Sequence, residues 1–576
     1  MINDDQITSM FPFESFRPDQ MDAIKTILTK FNEGKRIVLM EMPVGGGKSV
    51  VAYTIAKFFN RSYYLTIQKI LQDQLIRDFG KPDKSGAQMV DLKGRNNYPC
   101  SFNDRMAGIM ARNHLIGRGV SESEAIKKAQ EFIGTGKAQG FKIPSKISSM
   151  RRKKLYCDQG ICKVRGESKC PECFPSGKDS HQTHCAYWNR LFEALDAKMC
   201  LMNFKSFLYQ TSITHAFGPR ELLICDEGHN IESELLSFIG FTLSDRPFKE
   251  YDLTFPKLSS AKEYGGYLEK NDIKGVIKTI IEHARLADDI KKEDEWTDIL
   301  RRVTNFLNTA ADDNWVALHK VHDNHSTIEL KPIYVRQMAE DLIFGMANKI
   351  LIMSATILSP KTMCDSLGID PSETYSVRFN SRFPVENRPI YFMPVGSLSY
   401  KNKAQTLPKI IGVVDHIMDK YGNVRGIIHT HNMEIARLLT TRCKNRSRML
   451  FQENWANKTD MLKHHGTTDN TVIVAPAMHE GLDLKDDLAR FQIIVKVPYP
   501  SLKDNPQLEA RMKASNDFYD WLTALKLVQS TGRAVRSETD WAHTYILDSD
   551  FGWFRNKVER MLPKWFTESV IHKDSL

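Results

Sequence analysis

The sequence predicts an α/β protein of two lobes, each a parallel sheet with helices on both faces, with two inserts in the first lobe. Three observations predict it. A short apolar run leads through glycines into Lys48-Ser49 and a helical pattern. A second apolar run ends in adjacent acids, Asp226 and Glu227. Lys48 and Asp226 stand 178 residues apart, and His229 stands 125 before Ser354. Both gaps exceed what such a lobe needs when its connections are short. A length of 576 residues suits two to four domains. With 41 % hydrophobic and 26 % charged residues, a largely disordered chain is excluded. No apolar run approaches the ~18 residues of a membrane helix. The acidic start Met1-Ile2-Asn3-Asp4-Asp5 is unlike a signal peptide, so a cytoplasmic monomer with no membrane partner is expected.

The elements follow in chain order. Arg36-Ile-Val-Leu-Met-Glu-Met-Pro-Val-Gly-Gly-Gly-Lys-Ser49 reads as strand then loop, and Val51–Phe59 has helical apolar spacing. Backbone N–H groups of Gly45, Gly46, Gly47 and Lys48 can cradle phosphates at a helix start, where the dipole favours anions. Lys48 is placed to reach the β and γ phosphates and Ser49 to ligate Mg²⁺. Met42 departs from the pattern, which has a small first residue. Glu221-Leu-Leu-Ile-Cys-Asp226-Glu227-Gly228-His229 reads as a buried strand ending in two carboxylates, Asp226 for Mg²⁺ and Glu227 for the attacking water. In Leu525–Asp540, Arg533 and Arg536 share one helix face, suited to a transferring phosphoryl group. A solvated acidic turn and a solvated basic helix face are the bland alternatives; each weakens once the motifs occur together in one chain.

Cysteine and charge are both unevenly placed. Six of the ten cysteines (Cys100, Cys157, Cys162, Cys170, Cys173, Cys185) fall within 86 residues, which inside a cell reads as a metal site before disulfides. Cys200, Cys225, Cys364 and Cys443 sit among apolar neighbours and read as core. The net charge is +10, and residues 141–170 carry nine Lys/Arg against Asp158 and Glu167. Such a stretch is either a solvated segment or a phosphate contact. Tyr156 and Trp188 are candidates for base stacking or for core.

Taken in order, these motifs resemble the iron–sulfur DinG/XPD group of superfamily 2 helicases over nearly the whole chain. Phe16-Arg17-Pro18-Asp19-Gln20 resembles the Q motif, which implies that Arg17 and Gln20 lie near the adenine. Met42–Ser49 resembles motif I, and Tyr64–Gln74 motif Ia, a DNA-strand contact. Asp226-Glu227-Gly228-His229 resembles motif II, with Gly228 for the usual Ala, a small-for-small change expected to be harmless. Ser354-Ala355-Thr356 resembles motif III, Arg425–His431 motif IV, and Thr471–Asp483 motif V. Gln529-x-x-Gly532-Arg533-x-x-Arg536 resembles motif VI, in which Gln529 senses the γ phosphate. Lys93-Gly94-Arg95-Asn96-Asn97-Tyr98-Pro99-Cys100 resembles the segment of the first cluster ligand, and Cys185-Ala-Tyr-Trp-Asn-Arg190 that of the last.

The resemblance implies two RecA-like P-loop lobes. The first is assembled from residues 1–93 (Q motif, motifs I and Ia), 191–244 (motif II) and 336–385 (motif III). It is interrupted by an iron–sulfur domain at 94–190 and a helical, Arch-like insert at 245–335; the second lobe is 386–576. It also implies ATP, Mg²⁺ and a 4Fe–4S cluster held by Cys100, Cys170, Cys173 and Cys185, with Cys157 and Cys162 as alternates for the middle pair. Cys157-x₄-Cys162-x₇-Cys170-x₂-Cys173 also suits a four-thiolate zinc knuckle, in place of the cluster or as a second site. The activity implied is ATP-driven translocation on single-stranded DNA, 5′→3′, with unwinding of forked or tailed duplexes. The competing readings are a redox- or metal-responsive nucleic-acid-binding protein with a vestigial nucleotide site, and a translocase that remodels nucleoprotein without unwinding.

Overall fold

The computed structural model describes residues 3–83, 86–100, 102–135, 137–145, 147–148, 185–287, 289–476, 484, 486–532, 534–535 and 537–574. The chain divides into two compact units, residues 1–59, 221–233 and 333–576 forming one, and 60–220 and 234–332 the other.

The first unit holds two sets of strands. One runs β10-β1-β9-β5, where β1 is Ile37–Glu41, β5 Arg220–Asp226, β9 Ala347–Ser354 and β10 Thr374–Arg378. β1 pairs in parallel with both β9 and β10. Parallel strands covered on both faces read as unbroken apolar runs, and every residue of β1 is buried. The other set is a seven-stranded sheet in the order β13-β14-β12-β15-β16-β11-β17. Its strands are β11 (Ile390–Gly396), β12 (Gly426–His429), β13 (Met449–Phe451), β14 (Val472–Ala475), β15 (Phe491–Ile494), β16 (His543–Asp548) and β17 (Val570–His572). All its pairings are parallel. Alternation along each strand sends Ile428, Val472, Val474 and Ile493 into one core and Ile427, Ile473 and Ala475 into another, so both faces are covered. At about 1.5–3 kcal/mol per fully buried aliphatic side chain, these two cores are what fix the sheet. The sequence expectation of two lobes with parallel sheets and covering helices is met.

The second unit holds β2 (Ser62–Thr66), β3 (Met89–Leu92) and β4 (Met199–Asn203), with β4 paired in parallel to both of the others. Arg220 ties the start of this group together, donating to the carbonyls of Ser62, Ala194 and Ala197 at 2.9–3.0 Å and lying over the Tyr63 ring. Helices Phe102–Ile116 and Glu122–Thr135 meet through Ala107, Ala111, Ala129 and Phe132. The segment expected as a helical insert contains helices Ala261–Lys270, Ile273–Leu286 and Ile290–Thr309, but it is not all helix. β7 (Trp315–His322) and β8 (His325–Pro332) form an antiparallel hairpin, and β8 pairs with β6 (Phe241–Ser244). The two-residue turn Asp323-Asn324 joins the apolar run Trp315–Leu318 and its continuation to the alternating strand Thr327–Pro332.

Candidate functional site

The nucleotide loop begins where β1 ends. Gly45 and Gly47 have φ of +83° and +80°, a region that glycine enters without strain. Gly47 precedes the helix Lys48–Ala56, and among the described residues no side chain caps that helix. The Val50 N–H already donates to the Gly47 carbonyl at 3.0 Å, so an incoming anion would be met by the N–H groups ahead of it. Lys48 Nζ donates to the Met42 carbonyl at 3.2 Å. Met42 is buried, and a Cβ at position 46 would stand 2.6 Å from its Cγ. The large first residue of the loop is thus matched by the glycine at 46.

Arg17 and Gln20 brace the same loop from below. Arg17 Nη1 donates to the Gly45 carbonyl at 2.9 Å and Gln20 Nε2 to that of Gly46 at 3.3 Å, while Gln20 Oε1 accepts from the Arg17 N–H at 2.8 Å. Asp19, at φ +69°, takes a two-pronged bond from Arg382 in the segment leading to the second lobe.

β5 delivers the two acids. Asp226 is buried and its Oδ1 accepts the Glu227 N–H at 2.9 Å. Glu227 itself sits at φ +50°, a strained conformation that turns the chain sharply before Gly228-His229. A chain of hydrogen bonds follows. The amide nitrogens of Asn230 and Gln529 face His229 Nε2 at 2.9 and 2.7 Å, so Nε2 accepts and the ring carries its proton on Nδ1. Nδ1 donates to Ser354 Oγ at 2.8 Å, and Glu227 Oε2 lies 3.5 Å from both Nδ1 and that hydroxyl. Gln529 also donates to Thr356 Oγ1 at 3.1 Å. Motifs II, III and VI, 300 residues apart in sequence at the extremes, thus converge on one histidine.

Gly228 has a packing role of its own. A Cβ at 228 would stand 2.2 Å from Ile352 Cγ2 on β9, so glycine lets the motif lie against that buried strand. Glu41 is a further member that the sequence reading passed over. It is buried, accepts the N–H groups of Ile357 and Leu358 at 3.0 and 2.7 Å, and pairs with Arg378. Burial raises its pKa against the pull of Arg378. The signal was present, since an acid that closes a wholly apolar strand must find partners. Trp521, on the motif VI helix Asp517–Thr531, donates Nε1 to the Ile357 carbonyl at 2.7 Å and fixes the same turn. Arg533 and Arg536, and Glu480, Gly481 and Asp483 of motif V, lie outside the described residues.

Two of the expected metal ligands are described, both in the second unit. Cys100 is half-buried; Cys185 is buried and is the N-cap of helix Ala186–Asp196. Their segments meet: the rings of Tyr98 and Tyr187 are 5.6 Å apart, and the Arg95 guanidinium lies 4.6 Å above Tyr187. Arg190 then anchors the helix to β3 through the Asp91 carbonyl at 2.8 Å and the Asp91 carboxylate. A thiolate at a helix start is favoured by the dipole. Cys157, Cys162, Cys170 and Cys173, with Tyr156 and most of the basic stretch 141–170, lie outside the described residues. Among the described residues no three His, Cys, Asp or Glu gather as a metal-holding group. Trp188 packs against Tyr187 and Phe192 and is buried, a core residue as placed rather than a stacking platform. Cys200, Cys225, Cys364 and Cys443 are buried as expected, and burial raises every one of these thiols.

Comparison with known proteins agrees with this geometry. Residues 429–569 match the family described as "Helicase C-terminal domain", and residues 14–132 the one described as "Type III restriction enzyme, res subunit". The chain is 25 % identical over 181 residues to the Fanconi anemia group J protein homolog of Gallus gallus, covering 28 % of this chain and 14 % of that protein. It is 28 % identical over 123 residues to the ATP-dependent DNA helicase CHL1 of Yarrowia lipolytica, covering 17 % of this chain and 15 % of that one. The matched stretches span less than a sixth of these relatives. Among solved structures, "XPD_Helicase" superposes with TM-score 0.58 at 14 % identity, over 97 % of this chain and all of that one. "Structure of S. tokodaii Xpd4" gives 0.53 at 12 %, again over 97 % and 100 %. The chain therefore carries the XPD fold of two RecA-like lobes. Its sequence matches are to a helicase C-terminal domain and, over short stretches, to DNA helicases. Among the described residues no helix is long and apolar enough to cross a membrane.

Proposed function

We propose that this chain is an ATP-dependent DNA helicase that translocates 5′→3′ on single-stranded DNA and opens forked or tailed duplexes as a monomer. The observation that carries the reading is the hydrogen-bonded chain from Gln529 through His229 and Ser354 to Glu227, which links the third motif to the carboxylate that would orient water. ATP would lie on Gly45, Gly46, Gly47 and Lys48, braced by Arg17 and Gln20; Ser49 and Asp226 would hold Mg²⁺. The chemistry such an ion would supply there is neutralisation of charge developing on the phosphates. Lys48 would exchange its bond to the Met42 carbonyl for one to phosphate. Glu227, held at one edge by the Ser354 hydroxyl, would accept the hydrogen bond of the attacking water. Arg533 and Arg536 would neutralise the transferring phosphoryl group. The names of relatives such as ATP-dependent DNA helicase CHL1 support the assignment.

The test is strand displacement from 5′- and 3′-tailed duplexes. Wild type should displace the 5′-tailed substrate, and Lys48→Ala should lose displacement by about a hundredfold or more while still binding single-stranded DNA. Displacement retained by Lys48→Ala would overturn the mechanism.

We propose further that Cys100 and Cys185, with Cys170 and Cys173 or the alternates Cys157 and Cys162, hold a 4Fe–4S cluster. The meeting of the Tyr98 and Tyr187 segments supports it, since it draws together residues adjoining two cysteines far apart in sequence. Such a cluster would cross-link the module in the way structural metals do. Anaerobically purified protein should be brown, with four irons per chain; a colourless protein with stoichiometric zinc would reject the cluster.

A further inference from the structure

A second buried charge pair lies five residues beyond Glu227. Glu232, at the start of helix Ile231–Ile239, is 6 % exposed, and Arg511, on helix Pro506–Ala514, is 5 % exposed. Arg511 Nη1 donates to Glu232 Oε1, and Ser366 Oγ donates to Glu232 Oε2. The guanidinium lies 3.4 Å from the centre of the Phe518 ring and 5.0 Å from that of Tyr334. Gln507, on the same helix, donates to the Ile333 carbonyl at 3.0 Å. Glu232 and Ser366 belong to the part of the chain that carries motifs II and III, and Arg511 to the part that carries motifs IV to VI.

A buried ion pair seldom adds net stability over an apolar filling of the same volume, so it needs another reason to be there. Its physical property is that it tolerates no half-open state. With the two segments together, both charges are matched; once they part, each must be rehydrated in full. Burial pushes the Glu232 carboxyl up, and the Arg511 charge works against it, helped by the Ser366 hydroxyl and the Arg336 charge. Of all the polar bonds made by helix Pro506–Ala514, this one reaches nearest to motif II along the chain.

We propose that Glu232 and Arg511 are positioning residues that lock the second lobe's helix Pro506–Ala514 to the motif II segment, so that Glu227 is set for hydrolysis only when the two are joined. This rests on the helicase reading above and deepens it, by assigning to a polar pair outside the nucleotide loop the coupling of lobe closure to the chemical step.

The experiment uses the full chain and four variants: Glu232→Gln, Arg511→Gln, the double variant and Arg511→Lys. ATP turnover at saturating single-stranded DNA gives kcat and KM, and equilibrium binding of a non-hydrolysable ATP analogue gives Kd. Each single Gln variant should lose about tenfold or more in kcat while the analogue Kd stays within about threefold. The double variant should be no worse than the poorer single, since both act through one contact. Arg511→Lys keeps the charge and serves where a Gln variant fails to fold; it should bind the analogue normally and lose at least about threefold in kcat, because it lacks the fork and the ring contact. Turnover unchanged in the variants, or analogue binding that falls in step with kcat, would overturn the proposal. Wild-type protein with no turnover at all would overturn the helicase reading, and this inference with it; active wild type with unaffected variants would overturn this inference alone.

Discussion

Gly228 and Asp548 show how single residues are constrained by what lies against them. Replacing Gly228 by Ala drives a methyl group to within 2.2 Å of Ile352 Cγ2, in a strand with no room to yield. The expected cost is about 1–3 kcal/mol of stability, read as a lower denaturation midpoint. Ile352→Leu removes that γ methyl and should restore most of the loss; a Gly228→Ala protein as stable as wild type would contradict the contact. Asp548, at the end of β16, accepts the Val497 N–H at 3.0 Å and stands beside Asp550. Burial first, and the Asp550 charge after it, raise its pKa from 3.8 to about 6. A carboxyl raised on folding is most favourable while protonated. Its contribution is therefore complete below its unfolded pKa of 3.8 and lost as pH rises through about 6. Asp548→Asn should remove about 3 kcal/mol of that pH-dependent loss, so its stability relative to wild type improves between about pH 4 and pH 7. Parallel stability curves over that range would contradict the assignment.

At the scale of elements, the loop at Gly45–Gly47 was legible because its chemistry is local: a strand, a left-handed turn and a helix start follow each other without a gap. Gly47→Ala places a Cβ 2.1 Å from Gln20 Nε2 at φ +80°. Left-handed strain of about 1–2 kcal/mol adds to the clash. Binding of a fluorescent ATP analogue should weaken by about tenfold or more, and unchanged binding would show that the loop does not carry the phosphates. Glu41 was not read, because its partners Ile357, Leu358 and Arg378 come from a strand end and a turn more than three hundred residues away. No local pattern announces such a contact. The hairpin Trp315–Pro332 was passed over for a different reason. Only its second strand alternates, its neighbours are helical, and the resemblance implies a helical insert for the whole segment.

For the whole molecule, the order of motifs and the two long gaps were enough to predict two lobes and their parallel sheets, since buried parallel strands are written as apolar runs such as Val472-Ile-Val-Ala475. What the sequence could not give is which side chains from distant motifs meet. The convergence of Gln529, Thr356, Ser354 and Glu227 around His229 is a product of the assembled fold. If this convergence belongs to a working motor, ATP turnover with and without single-stranded DNA reads it out. Wild type should turn over ATP, faster by about tenfold or more with DNA, and Lys48→Ala should show no turnover in either condition. Wild-type protein that turns over no ATP under either condition would contradict the account and favour a nucleic-acid-binding protein with a vestigial nucleotide site.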